Sequence, residues 1–142
     1  MTVGFDYYKT ITAHPSITKK MASDFKKGGD HVVIISATGE GKTHEDTLKK
    51  KANYEDKVKE QLEKIKFPFD ELLVICVKDP KHTPHMKTNL AIISGVKIFF
   101  DDREDTCREM IDHGIVAFKV VEPTPQPGMQ NPTVAESVKA TD

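Results

Sequence analysis

Val32-Val33-Ile34-Ile35-Ser36-Ala37-Thr38 is the stretch that decides the fold. Its four leading residues are apolar and β-branched with no polar alternation, so a strand here must be covered on both faces, as strands of parallel sheets are. Runs of the same kind recur at about 2–8, 72–77 (Leu72-Leu73-Val74-Ile75-Cys76-Val77), 96–100 and 115–121. Each has strand length, and longer polar stretches with helical character separate them. The pattern predicts an α/β domain of Rossmann-like, three-layer type around a central, mainly parallel five-stranded sheet.

The intervening segments supply the helices. Ser16 is expected to cap a crossover helix in which Ile17, Met21 and Phe25 share a face and Gly28-Gly29 ends the run. From Thr43 to Lys66 the chain is heavily charged, with Tyr54, Val58, Leu62 and Ile65 recurring at three and four. That predicts a long helix, a break near Asn53 being left open. Residues 78–86 read as an irregular loop, followed by short helices over about 87–93 and 104–112. Residues 1–122 are expected to form one domain, and 123–142, with four prolines and little apolar content, a flexible tail.

Composition narrows the function classes. The 142 residues suit one domain and are too few for two catalytic units. Lys+Arg number 21 against Asp+Glu 22, so no global field draws the chain to nucleic acid or a membrane surface. No apolar run approaches the roughly 20 residues of a membrane helix. The start, Met1-Thr2-Val3-Gly4-Phe5-Asp6, has no basic leader or cleavage pattern, which predicts a cytoplasmic location. Cys76 and Cys107 read as reduced structural thiols.

In a parallel sheet, ligands bind beyond the carboxyl ends of the strands, so the residues just after each run carry the chemistry. Those are Asp6-Tyr7-Tyr8-Lys9-Thr10, Ser36-Ala37-Thr38 and Asp101-Asp102-Arg103-Glu104-Asp105, with Lys87 between the third and fourth runs. Adjacent carboxylates such as Asp101 and Asp102 repel unless a cation sits beside them. Thr38 competes with Ser36 as the hydroxyl, and Lys78 and Lys81 compete with Lys87 as the ammonium. Asp105 is either a supporting acid or the first-turn acid of a helix.

An aspartate, a hydroxyl, a lysine and an acidic pair in that order resemble the four motifs of the haloacid dehalogenase-like (HAD) hydrolase superfamily. With about two dozen residues between the first two motifs there is room for a crossover helix but no cap. The resemblance is therefore to capless members related to the phosphatase domain of polynucleotide kinases, and it covers about residues 2–121. It implies a magnesium-dependent phosphatase working through an aspartyl-phosphate on Asp6. Thr10 would orient Asp6, Ser36 would bind a phosphoryl oxygen, and Lys87 would compensate charge. Asp6, the Tyr8 carbonyl and Asp101 or Asp102 would hold Mg2+. The implied partner is a phosphorylated small molecule or nucleotide. Nucleic acid is less supported, because Thr38 stands where such members often carry arginine.

One position departs from that pattern. Tyr8 occupies the place of the usual acid/base aspartate, and a phenol with a pKa near 10 is a poor base at neutral pH. A second reading is therefore a pseudo-phosphatase that binds or regulates. The Asp-x-Tyr-x-Thr pattern also occurs in true dehalogenases, a third reading disfavoured by the absent cap and the acidic pair. His82 and His85 invite a zinc site but lack a third ligand at a recognisable spacing. Gly39-Glu40-Gly41-Lys42-Thr43 resembles the end of a phosphate-binding P-loop but lacks its first glycine, Ser36 standing there. Lys49-Lys50-Lys51 reads as a solvated helix face, with a local phosphate contact as the minor reading.

Overall fold

The computed structural model describes residues 1–123, so the expected flexible tail falls, from 124 onward, outside the described residues. Five strands pair in parallel: β1 (Thr2–Phe5), β2 (His31–Gly39), β3 (Glu71–Val77), β4 (Val96–Asp101) and β5 (Val116–Lys119). Their order across the sheet is β3-β2-β1-β4-β5. Four helices connect them: α1 (Pro15–Lys27), α2 (His44–Lys64), α3 (Thr83–Ile93) and α4 (Glu104–Asp112).

The unbroken apolar run of β2 is explained by what covers it. Val32 and Ile34 join Val3, Phe5 and Phe100 beneath Ala22 of α1 and Val58 and Leu62 of α2. Val33 and Ile35 point the other way, joining Phe99 beneath Ala91 of α3 and Met110 of α4. All four β2 side chains are fully buried, each worth about 1.5–3 kcal/mol by transfer. Gly4 on β1 is glycine for space, because a Cβ there would come within 2.5 Å of the Phe99 ring.

Several boundaries differ from expectation. β1 ends at Phe5, and residues 7–11 form a wide, irregular turn in which Tyr8 is extended and Lys9 left-handed, closed by the Thr12 amide on the Tyr7 carbonyl at 3.1 Å. Pro15 opens α1 in place of a Ser16 cap, its fixed φ suiting the first turn. Ile17 is left exposed while Met21 and Phe25 pack on the core. α2 runs unbroken through Asn53, and the Thr43 hydroxyl caps it by accepting from the Asp46 amide at 3.0 Å. The segment 78–86 is largely ordered as a short helical turn at Pro80–His82 and the start of α3 at Thr83, with Pro84 in its first turn. Lys87 therefore sits inside a helix.

Among the described residues, no helix is long and apolar enough to cross a membrane. The chain places β2 and β3 on one side of β1 and then crosses to add β4 and β5 on the other. That reversal opens a crevice between the carboxyl ends of β1 and β4.

Candidate functional site

Asp6 immediately follows β1 and Asp101 is the last residue of β4, so two neighbouring strands bring two carboxylates to the crevice. Lys87 reaches them from α3, its Nζ 2.6 Å from Asp6 Oδ1 and 2.9 Å from Asp101 Oδ2. All three are buried, Asp6 to 5%, Lys87 to 3% and Asp101 to 0% exposure. Asp102 follows, and one carboxylate oxygen from each of Asp6, Asp101 and Asp102 lies within 4.8 Å of the others. The Thr10 hydroxyl donates to Asp6 Oδ2 at 3.2 Å, and the Arg103 amide donates to Asp101 Oδ1 at 2.9 Å.

The turn that carries Thr10 is strained. Lys9 adopts φ +62°, a left-handed conformation that costs a non-glycine residue about 1 kcal/mol or more. Within this turn Tyr8 projects its ring outward while Thr10 is buried beneath Asp6. On the other side of the crevice Ser36, also buried, shares a 2.7 Å hydrogen bond with the Tyr54 hydroxyl of α2. Above this floor is a cavity of about 540 Å³, walled by Tyr8, Thr38, Gly39, Lys78, Thr83 and Arg103.

Three carboxylates, two of them buried, meet one ammonium here. Burial pushes the Asp6 carboxyl up to about 7, Asp101 adds to the rise, and Lys87 only partly opposes it. Asp101 is raised as well, by burial first, against Lys87 and the Arg103 amide. Burial pulls Lys87 down, but the two carboxylates outweigh it, and its ammonium is held above the ordinary range. One cation cannot keep both buried carboxylates ionised. The donor set consists of hard oxygens, which suits magnesium or calcium and is unlike the thiolate and imidazole sets that zinc favours.

The fold thus gathers Asp6, Thr10, Ser36, Lys87, Asp101 and Asp102 at one end of the sheet, with Tyr8 on the cavity wall. Thr38 and Lys78 also face the cavity, whereas Asp105 turns to Arg103 at 2.7 Å. Arg103 holds the Asp105 carboxyl below its usual range. Tyr54 is the residue sequence reasoning left as mere helix packing. A tyrosine on an apolar stripe needs a partner for its hydroxyl, a signal that could have prompted a search for one, and the structure supplies Ser36. His82 and His85 do not act as a pair: His85 approaches Glu109 of α4 at 3.4 Å and takes no part in the crevice. Cys107 packs beneath Asp101, and burial pushes its thiol up to about 11.

No family model and no curated protein sequence matches this chain. Solved structures do. A universal stress protein family member from Burkholderia pseudomallei aligns with a TM-score of 0.53 at 8% identity, over 84% of this chain and 94% of that one. A universal stress protein from Archaeoglobus fulgidus aligns at 0.45 and 11% identity, over 84% and 93%. At such identities the likeness is one of fold. The first of these likenesses corrects the resemblance drawn from the motifs, because that neighbour has a Rossmann-like fold different from that of the HAD hydrolases. The capless polynucleotide-kinase-type assignment goes with it. So do the magnesium-dependent phosphatase with an aspartyl-phosphate on Asp6, the pseudo-phosphatase and the dehalogenase. The physical reason is that any doubly wound parallel sheet gathers residues from the carboxyl side of its strands and from the helices that follow at one crevice, so acids, hydroxyls and a lysine there reflect topology before lineage. What the chain shares with solved structures is an α/β domain with a five-stranded parallel sheet between helices.

Proposed function

We propose that this domain binds a phosphorylated small molecule through a divalent cation, Mg2+ by the hardness of its donors, held by Asp6, Asp101 and Asp102. The observation that carries the reading is that two buried carboxylates, Asp6 and Asp101, with the part-buried Asp102 beside them, share one lysine at the floor of an open cavity. A divalent cation there would restore charge balance and draw an anionic ligand onto its free positions, since magnesium is commonly shared between one or two carboxylates and phosphate oxygens. The Ser36 hydroxyl, fixed by Tyr54, would donate to a phosphate oxygen, and Lys87 would hold Asp6 and Asp101 in place. The Tyr8 carbonyl remains a candidate further oxygen donor. The free thiols Cys76 and Cys107 suit a reducing compartment, and the reading places the domain in the cytoplasm.

Isothermal titration calorimetry with orthophosphate, with and without millimolar magnesium, tests this. Binding is expected only when magnesium is present, and Asp101→Asn should weaken that magnesium-dependent binding by roughly tenfold or more. Phosphate binding of equal strength in chelator, or none in either condition, would sink the proposal.

A further inference from the structure

The cavity floor is anionic but its rim is cationic, and the cations differ in how occupied they are. Arg103 pairs with Asp105 at 2.7 Å, and Lys9 lies 3.8 Å from Glu122. On the side formed by the ends of β2 and β3 the positive charge is uncommitted. Lys78 follows β3 and faces the cavity, and among the described residues it has no acidic partner. Lys50 of α2, likewise without one, brings its Nζ to within 3.3 Å of where a Cβ on Gly39 would stand, and Gly39 itself lines the cavity. The Lys50 ammonium thus lies beside the Gly39 end of β2, at the edge of the cavity.

The ligand for this wall differs from the one the floor demands. On the proposed function, the cation would be held by the carboxylates at the floor and Ser36 would serve the first phosphate. Lys78 on the cavity wall and Lys50 beside Gly39 are two further ammonium groups that a second anionic group on the same ligand would meet on leaving the floor. Lys50 belongs to the Lys49-Lys50-Lys51 run, which is otherwise a solvated face of α2.

We infer that Lys50 and Lys78 form a second phosphate subsite, so that the ligand carries at least two closely spaced phosphates and leaves the cavity over Gly39. The inference deepens the proposed function and rests on it for the position of the first phosphate. Two sources share this chemistry: a phosphoanhydride chain and a phosphodiester-linked one.

Calorimetry on the full chain in saturating magnesium decides it, comparing orthophosphate with pyrophosphate and thymidine 5′-monophosphate with 5′-phosphorylated dithymidylate. The second phosphate should tighten binding roughly fivefold, the scale of two partly exposed ion pairs. The double variant Lys50→Gln/Lys78→Gln should lose that gain while orthophosphate affinity stays within about twofold. Both replaced residues are solvated lysines, and a thermal melt verifies the fold. A gain with pyrophosphate alone points to a phosphoanhydride ligand, and a gain with the dinucleotide alone to a phosphodiester. Equal affinity for one phosphate and two, or a double variant that weakens all four probes alike, overturns the subsite. Lysine-dependent pyrophosphate binding without any orthophosphate binding would instead overturn the cation-centred floor and keep the subsite.

Discussion

Opposite ends of the same sheet carry clusters of acids and bases, and they behave in opposite ways. At the amino ends of β1, β2 and β3, the Met1 amino group pairs with Asp30 at 2.8 Å, Lys26 with Asp70 at 2.5 Å and His31 with Glu71 at 2.5 Å. These groups are partly solvated, and hydrogen bonds from Lys26 and from the Val32 amide hold the Asp70 carboxyl below its usual range. At the carboxyl ends, Asp6 and Asp101 share a single lysine away from water, and both are pushed up. Aspartate and lysine occur in both places. Burial and charge count separate them: a paired, solvated cluster contributes a little stability, and a buried, under-compensated one stores an electrostatic cost that a ligand can relieve.

The largest test of this contrast is Lys87→Met. Removing the ammonium leaves buried carboxylates without compensation, and urea unfolding without metal should show a loss of about 3–5 kcal/mol. Magnesium should recover much of it. A loss below about 1 kcal/mol would mean that the cluster is already protonated or hydrated, and the contrast would fail.

Stability against pH comes next, and here the two ends have opposite signs. Asp6 is raised from 3.8 to about 7, so the folded state holds a proton that the unfolded chain has released. Its favourable contribution is complete below about pH 3.8 and is lost as pH rises through about 7. Asp70 is lowered, so its contribution is present above 3.8 and lost as pH falls through its folded value. Metal-free protein should therefore lose on the order of a few kcal/mol between pH 4 and 7, and magnesium should flatten that slope. A metal-free profile that rises over this window would break the assignment of Asp6.

Two smaller effects sharpen the comparison. Asp101→Asn should weaken magnesium binding by roughly tenfold or more, read by calorimetry, while raising the stability of the metal-free protein. Unchanged magnesium affinity would remove Asp101 from the ligand set. Asp70→Asn at the other end should cost about 1 kcal/mol, part of it screened by solvent, and leave magnesium affinity untouched. A change in that affinity would show the two ends to be coupled.

Much of this architecture was legible because burial on both faces writes itself into composition. Val32-Val33-Ile34-Ile35 has no polar position because α1 and α2 lie on one side and α3 and α4 on the other. Element ends were less legible where proline acted locally, as at Pro15 and Pro84, where fixed φ opens a helix without a side-chain cap. Lys87 stood out only by its place in motif order. Nothing local distinguishes it from the other lysines, and its burial depends on where α3 lands. Tyr54 looked like packing because its hydroxyl partner lies 18 residues away, on β2.

The sequence by itself determined the parallel five-stranded α/β domain and the strand-end positions of Asp6 and Asp101, whereas Ser36 lies inside β2, which runs on to Gly39, because periodicity and burial are local properties of the chain and strand ends are not. Tertiary structure alone decided that one lysine must serve two buried carboxylates and that Lys50 of α2 reaches the end of β2. These depend on which elements meet in space and how much water is left between them, and no window of sequence contains that.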